Sequence, residues 1–318
     1  MALPWSADAL IADVRRSGMI PDSTAAGYAN ADILLQADKE METRMVPLVL
    51  KVRQEYYVRY VDVTTTSGQG YYRLPKRAVA QRTREVAMYR NSQFYSLARM
   101  EPEQVIRNQP TNNLGVPYGF KVNGNGIVLV PTPGSGSGTL RIFYYLRPGR
   151  LVLESAAQQI TAVEVDTPIA GQTRFTVSST TGLTTGPLDF ITNASGAECV
   201  AIDVPVVSST ATKIVVSSSY FDQTTAPTSA MVGDWISVAD TSPLQQLPTE
   251  LQGVFAQRVL CRMLQSGGDL QGLRAAEENA KKMEDEALSL IQTRTDGNPQ
   301  KMIGGPTFRY RSYLMRGV

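Results

Sequence analysis

The chain contains no histidine among its 318 residues. Imidazole is the usual general base beside a nucleophilic serine or cysteine, and it is the commonest metal ligand. The absence therefore excludes Ser-His-Asp and Cys-His catalysis, HExxH metalloenzymes and most catalytic zinc sites. Chemistry that depends only on carboxylates or lysine stays open. We expect no catalytic, cofactor-binding or metal-binding residue, and no enzymatic activity.

The chain also has only two cysteines, a small net charge and no long apolar run. Cys199 lies in a β-like segment and Cys261 in a helical one, so we expect two buried thiols rather than a disulfide. No stretch approaches the ~20 apolar residues that span a bilayer. The start, MALPWSADALIADVRR, lacks the basic and apolar regions of a secretory signal. With a net charge of only +2, nucleic-acid contact would need a local basic patch.

Helical patterns occupy both ends of the chain. Residues 1–56 predict two helices, the first capped by Ser6 and the second kinked or broken at Pro47. Residues 243–298 predict two more helices, with Asp269 capping the second. Because the loop between this last pair is short, the two helices should lie antiparallel.

The middle of the chain has β patterns. YYVRYVDV and YYRLP predict one hairpin, and VAMYR and FYSLARM predict another, although a helix over residues 77–90 stays open. In YGFKVNGNGIVLVP, Asn123 and Gly124 predict a hairpin with a type I′ turn. We expect these hairpins to form one small sheet packed on the N-terminal helices.

Composition changes abruptly at residue 154, where serine and threonine become common and lysine and arginine rare. Short strand candidates recur with turn residues between them, which is typical of a small sandwich or barrel. We therefore predict an α+β fold with a helical core (N-terminal helices plus a C-terminal antiparallel helix pair), a small antiparallel β-sheet and an inserted β-sandwich or barrel-like domain. The expected divisions are N-terminal helices 1–56, sheet region 57–153, inserted β-rich domain 154–242, helix pair 243–298 and an extended arm 299–318.

Three other patterns resemble sites but favour ordinary structure. GSGSG at 134–138 lacks the Lys-Ser/Thr and the helix of a phosphate loop, so we interpret it as a hairpin loop. The last helix alternates acidic and basic residues at i,i+4 spacing, as a solvated face does; its carboxylates are Glu277, Glu278, Glu284, Asp285 and Glu286. The acidic residues of the β-rich zone are too scattered for a calcium loop; they are Asp189, Glu198, Asp203 and Asp222.

Two basic-aromatic segments are the candidate interaction sites. The first interleaves tyrosine with arginine, which suits a protein interface, a phosphate contact or a solvated surface; its candidate residues are Tyr71, Tyr72, Arg77, Arg82, Arg84 and Tyr89. The second lies at the C-terminal end and contains no acidic residue; its candidate residues are Phe308, Arg309, Tyr310, Arg311, Tyr313, Leu314 and Arg316. This second segment could stay disordered or pack on its own chain, but we favour docking into a neighbouring protein.

Three long segments carry a family resemblance. They are YYRLPKRAVAQRTREVAMY, YGFKVNGNGIVLVPTPGSGSGTLRIFYYLRPGRLV and LPTELQGVFAQRVLCRMLQSGGDLQGLRAAEENAKKMEDEALSLI. In pattern and order they resemble the head-to-tail adaptor (head-completion, portal-binding) proteins of tailed bacteriophages, particularly short-tailed ones. Residues 154–242 lie outside the resemblance.

The resemblance implies a structural virion protein at the head-tail junction, made in the host cytoplasm. Such proteins assemble as a homo-oligomeric ring, usually of twelve copies, beneath the portal protein. The implied partners are the portal and the tail proteins (nozzle or tail tube, and fibres), with genome DNA passing through the channel without sequence-specific binding and no membrane involved. The residues after Pro299 would be the arm that grips the portal.

Two alternatives stay open. The chain could be another virion component, such as a tail-tube or decoration protein, in which the β-rich insert is the main interaction module. It could instead be a carboxylate-dependent cell-wall glycan hydrolase, which needs two carboxyl groups ~5–9 Å apart in a cleft. The sequence offers no convincing pair for that chemistry.

Overall fold

The computed structural model describes residues 5–21, 29–90, 92–101, 103, 114–135, 138–183, 186–194, 196–221 and 230–291. Helices lie towards both ends of the chain and antiparallel sheets lie between them, so the predicted α+β class is confirmed. Asp222 and the expected arm, residues 299–318, lie outside the described residues.

Five α-helices form in the described part of the chain. They are α1 (Ala7–Gly18), α2 (Asn30–Glu40), α3 (Val46–Val52), α4 (Thr249–Gly267) and α5 (Leu270–Ile291). The cap predicted for α1 is confirmed, because the Ser6 side chain accepts a hydrogen bond from the Ala9 amide at 3.1 Å. None of these helices combines the length and the apolar character that crossing a bilayer requires.

Pro47 produces the irregularity that its position predicts. A π-helical turn, Met41–Met45, joins α2 to α3 directly ahead of this proline. Proline has no amide hydrogen to donate, and its ring would clash with the carbonyl four residues earlier in a regular helix. The wider turn accommodates both problems without ending the helix.

The helical core is built from both ends of the chain. The Ala7 amide donates to the Pro243 carbonyl, and the Gln245 amide donates to the Trp5 carbonyl, both at 2.8 Å. Helices α1 and α2 pack on α4 around a shared apolar cluster; its largest fully buried members include Leu10, Ile33, Met45 and Phe255.

Helices α4 and α5 are antiparallel, as predicted. Arg258, near the middle of α4, pairs with Glu284 far along α5, whereas Leu264, near the end of α4, packs beside Leu273 near the start of α5. The predicted cap of α5 is also present, because Asp269 accepts a hydrogen bond from the Gly272 amide at 2.9 Å.

Ten strands follow the first helices. They are β1 (Val58–Thr64), β2 (Tyr71–Arg73), β3 (Ala78–Arg90), β4 (Gln93–Ser96), β5 (Ala98–Arg99), β6 (Leu114–Gly115), β7 (Gly119–Asn123), β8 (Gly126–Val130), β9 (Thr132–Pro133) and β10 (Thr139–Leu146). A first sheet has the order β1-β10-β3-β4, and a second has the order β2-β8-β7-β5. Side chains from both sheets share one buried cluster, among them Leu140 and Ile142 from the first and Tyr72 and Leu129 from the second. We call these two packed layers the β-module.

The expectation of one hairpin sheet was wrong in part. Strands β1 and β2 do not pair with each other, because β1 pairs with β10 in the first sheet and β2 with β8 in the second. The six-residue connection crosses from one layer to the other. The β3–β4 hairpin is confirmed, and residues 78–90 form a strand rather than a helix.

The β7–β8 hairpin is confirmed, but its turn differs from the one predicted. Asn123 pairs with Gly126, so Gly124 and Asn125 are the two central residues of the turn. Of these two, only Gly124 has a positive φ, +56°. A positive φ at the first central position alone is the type II′ pattern, whereas type I′ needs it at both.

The remaining ten strands are β11 (Arg150–Leu151), β12 (Gln158–Gln159), β13 (Ala162–Val165), β14 (Gln172–Thr176), β15 (Leu188–Ile191), β16 (Cys199–Val204), β17 (Val206–Ser209), β18 (Lys213–Ser217), β19 (Trp235–Val238) and β20 (Thr241–Ser242). Eight of them build a β-sandwich, whereas β11 and β20 pair with each other in a separate two-stranded sheet. Sheets ordered β12-β19-β15-β16 and β13-β14-β18-β17 enclose a core in which the rings of Phe175, Phe190 and Phe221 contact one another. The domain boundaries given above stay a prediction.

Candidate interaction surfaces

The structure separates the six residues of the predicted Tyr/Arg patch. Tyr72 and Arg77 are buried, so neither can contribute to an exposed surface of the subunit. The other four are exposed but do not form one patch. Tyr71 lies on the second sheet, whereas the remaining three lie along β3 of the first; these are Arg82, Arg84 and Tyr89.

Arg77 belongs to a buried junction between the β-module and the β-sandwich. Its guanidinium bonds the Asp189 carboxylate, and its Nε lies 3.3 Å from Oδ1 of Asp240. Asp189 also accepts hydrogen bonds from the Asp203 and Asp240 amides, at 3.0 and 3.1 Å. Burial raises the pKa of Asp189 above its ordinary value, although Arg77 and these amides act to lower it. The contact therefore joins two parts of the chain and leaves no site for a ligand.

A second contact of the same junction centres on Gln246. Its backbone carbonyl accepts a hydrogen bond from the Tyr57 hydroxyl at 2.8 Å, and its side-chain oxygen accepts one from the Gly149 amide at 2.7 Å. Its Nε2 lies 2.9 Å from the Cys199 sulfur. The cavity beside these groups measures about 20 Å³, which is enough for one water molecule and too small for a substrate.

Both cysteines are free and buried, as predicted. Burial raises the pKa of Cys199 to about 11, and it also raises the pKa of Cys261. A thiol is nucleophilic only as the thiolate, so neither group is activated for chemistry. Within the described residues, no group of three or more Cys, Asp or Glu side chains could hold a metal ion.

The acidic residues of the last helix divide into two sets. Glu278 forms the exposed i,i+4 pair with Lys282 that the spacing predicted, at 3.9 Å. Glu284 does not lie on a solvated face, because it contacts Arg258 at 2.5 Å and Arg44 at 3.1 Å. These two arginines come from α4 and from the π-helical turn, so Glu284 ties three helical segments together.

The outer side of the first sheet carries an exposed surface that sequence patterns did not identify. Successive residues of a strand point to opposite sides of the sheet, and paired residues point to the same side. Since Leu140 and Ile142 face the buried cluster, their alternates on β10 and the partners of these alternates face outward. We call this surface the aromatic face; its residues are Tyr60, Asp62, Glu85, Tyr89, Phe94, Arg141 and Phe143.

Arg141 organises the aromatic face. Its guanidinium carbon lies 4.0 Å from the ring centre of Tyr60 and 4.3 Å from that of Phe94. Its Nε and Nη2 each donate a hydrogen bond to Asp62 at 2.7 Å, and this pairing raises the pKa of Arg141. The two-point bond fixes the guanidinium plane, so the rings on either side are held in a defined arrangement.

The aromatic rings of this face remain open to solvent in the subunit. Tyr60 and Phe94 are each 48% exposed, and Tyr89 is 39% exposed. The Tyr89 and Phe94 rings contact each other at a tilt of 46°, with centres 4.8 Å apart, and the centre of the Phe143 ring lies 5.8 Å from that of Tyr60. Aromatic side chains beside an arginine are typical anchors of protein interfaces. Asp62 neutralises the arginine, so the face does not present the positive field that phosphate binding requires.

The outer side of the second sheet differs in charge. By the same alternation, Tyr71, Val128 and Lys121 form one outward row across β2, β8 and β7, and Arg73 lies outward beside them. We call Tyr71, Arg73, Lys121 and Val128 the basic face; none of its residues is acidic. The Tyr71 ring lies flat across the strand over Gly126, where an added Cβ would meet ring atoms at 2.5 Å.

The described residues form a buried junction between the β-module and the β-sandwich, and they form two exposed faces on the β-module. Neither described cysteine is an activated nucleophile. The family model described as SU10 adaptor protein matches residues 6–170, just over half of the chain. The chain therefore belongs to this family of phage head-tail adaptors, and it is a structural component of a bacteriophage virion. No curated protein matches the sequence.

The family match covers the first helices, the β-module and the start of the β-rich insert. It does not extend to helices α4 and α5, whose sequence contributed to the resemblance noted above. The predicted adaptor family is confirmed in its coarse form, as an adaptor of tailed phages that acts with portal and tail proteins.

Proposed function

We propose that this protein forms the ring that joins the portal vertex of a phage head to the tail, in a phage of the short-tailed type. The ring would continue the channel through which the genome DNA passes, without reading its sequence. Membership of the adaptor family carries this proposal. The exposed aromatic face supports it, because a subunit that works in an assembly keeps such surface for its neighbours.

The ring proposal includes a copy number of twelve and a place at the head-tail junction of the virion. A ring requires that each subunit carry two different contact surfaces, since head-to-tail contacts close when the rotation permits. The β-module offers two outer faces of different chemistry on opposite sides. The tail proteins that dock below, whether nozzle, tube or fibres, would contact the parts of the ring that face away from the portal.

The C-terminal segment is the proposed portal contact. Its aromatic and basic residues have no acidic partner within the segment, so an acidic or aromatic groove on another protein would suit them; they are Phe308, Arg309, Tyr310, Arg311, Tyr313, Leu314 and Arg316.

Truncation tests this proposal directly. The full chain and a chain lacking residues 300–318 are each co-expressed with the portal protein of the same phage and purified through a tag on the portal. We expect the full chain to co-purify and to form a twelvefold ring in electron micrographs. We expect the truncated chain to be lost from the portal while its circular dichroism and melting temperature stay unchanged.

The controls separate the competing outcomes. A full-length variant with Phe308, Tyr310 and Tyr313 changed to serine keeps the charge of the segment and tests its aromatic side chains alone. Normal portal attachment by the truncated chain would refute the role of the arm. If the full chain does not bind the portal but copolymerises with tail-tube protein, the result would support the tail-tube alternative. If it instead coats the capsid, the result would support the decoration alternative.

A further inference from the structure

The two outer faces of the β-module are complementary in chemistry. The aromatic face carries three exposed rings and Glu85, whose carboxylate forms no ion pair within the described part of the chain. The basic face carries Arg73 and Lys121, which likewise form no ion pair among the described residues, and no acidic residue. Cations attract both the faces of aromatic rings and a carboxylate.

We propose that the aromatic face of one subunit packs against the basic face of a second copy of this chain. The proposal rests on the proposed ring and specifies which surfaces join its neighbouring subunits. Lys121 and Arg73 of one copy would lie over the rings and the Glu85 carboxylate of the next. Tyr71 would add a flat ring to the contact.

The positions of the two faces fit a contact that repeats. Tyr72 and Ile127 point inward from the second sheet and meet Leu140 and Ile142 of the first, so the outward rows lie on opposite sides of one packed module. A contact between unlike faces leaves the pair of subunits with one free face of each kind. Such a contact propagates from copy to copy until the ring closes.

Charge also favours a copy of this chain over nucleic acid at the aromatic face. The Asp62–Arg141 pair is neutral, and Glu85 adds a negative charge, so this face repels phosphate. A second copy of the chain would supply Arg73 and Lys121 as cationic partners for the Glu85 carboxylate. The fixed guanidinium between Tyr60 and Phe94 keeps the rings ordered before contact, which reduces the entropy lost on binding.

Disulfide trapping in assembled particles tests the contact. Phe94→Cys and Tyr71→Cys are introduced together into the full chain, which is assembled on portal and oxidised. The native thiols are buried, so they stay out of the reaction. We expect a ladder of covalent dimers, trimers and larger products on a non-reducing gel. Each single variant should remain monomeric on the same gel.

A matched control places the second cysteine elsewhere. Phe94→Cys with Ile169→Cys pairs the aromatic face with an equally accessible position on the β-sandwich, where Ile169 is 62% exposed, and it should give no ladder. Absence of the ladder from the Phe94/Tyr71 variant in particles that contain the protein would overturn the face assignment and leave the ring proposal standing. A dimer formed by Phe94→Cys alone would indicate a symmetric contact between two aromatic faces. A crosslink to another virion protein would indicate that this face binds a different partner. Either result would overturn the face assignment. Loss of the folded chain from every particle, wild type included, would instead refute the proposed function.

Reversing charges gives an independent test. Glu85→Lys places a cation opposite the basic face, and Lys121→Glu replaces one cation of that face with an anion. We expect each change to weaken assembly of the full chain on portal about ten-fold, and the two changes combined in one chain to restore it. Equal losses in the single and combined variants would contradict the pairing.

Discussion

The buried junction at Arg77 and the aromatic face at Arg141 each contain an arginine–aspartate ion pair, but the two pairs differ in burial. The Arg77 side chain is 7% exposed and its partner Asp189 is fully buried, whereas Arg141 and Asp62 are 23% and 40% exposed. The first pair joins the β-module to the β-sandwich, and the second orients rings toward solvent. The comparison teaches that an arginine–aspartate pair can hold a fold together or prepare a surface, depending on what covers it.

The largest expected effect comes from breaking the buried pair. Arg77→Met leaves Asp189 buried without its cationic partner, and such losses cost about 3–5 kcal/mol. We expect urea unfolding to show a loss of this size in the free energy of unfolding. The double variant Arg77→Met with Asp189→Asn should lose less than the sum of the single changes, because position 189 no longer carries a fully buried, unpaired charge. A loss below about 1 kcal/mol in Arg77→Met would contradict the assignment of this contact as a structural joint.

A smaller loss is expected from the uncharged part of the same junction. Tyr57→Phe removes the hydroxyl that donates to the Gln246 carbonyl and leaves a buried acceptor unpaired, which should cost about 1–2 kcal/mol. Tyr56→Phe is the matched control, since its hydroxyl donates a longer bond of 3.3 Å to Gly196 at a partly exposed position. Urea midpoints of the two variants measure the difference. Equal midpoints would mean that the Gln246 contact does not hold the junction.

The smallest effect on stability is expected at the aromatic face. Arg141→Met removes an exposed pair, and exposed pairs contribute less than about 1 kcal/mol. The same change releases Tyr60 and Phe94 from the guanidinium between them, so we expect a clear loss of assembly on portal with little change in the urea midpoint. Arg141→Lys keeps the charge but not the two-point bond to Asp62, and it should assemble at an intermediate level. A large loss of stability with normal assembly would invert the contrast between the two arginines.

Local patterns predicted the elements whose partners are close in sequence. The Ser6 and Asp269 caps, the irregularity at Pro47 and the β7–β8 hairpin all depend on residues within a few positions of one another. Their formation requires only local turn chemistry and helix periodicity. The type of the β7–β8 turn was wrong because it depends on register, and a shift of one residue moves the central pair from Asn123–Gly124 to Gly124–Asn125.

Contacts between distant segments could not be predicted in the same way. Arg77 lies in a basic run and was assigned to the surface, because its partner Asp189 is 112 positions away in a β-rich segment with no visible relation to it. The aromatic face was missed for the same reason. Alternation in YYVRYVDV and TLRIFYYL places Tyr60 beside Asp62 and Arg141 beside Phe143, but only the β1–β10 pairing unites the two sets.

The bridge between Ser6 and Leu244 has a consequence for synthesis on the ribosome. Helices α1 to α3 are synthesised before both β units, yet α4, on which α1 and α2 pack, is synthesised after them. Both β units are translated between these helices and can form their strand pairs first. During that time the apolar sides of α1 and α2 remain exposed, because α4 has not yet been made. Stopping translation directly before residue 244 would therefore release a polypeptide that contains every strand of both β units but lacks α4, so its helical core could not form.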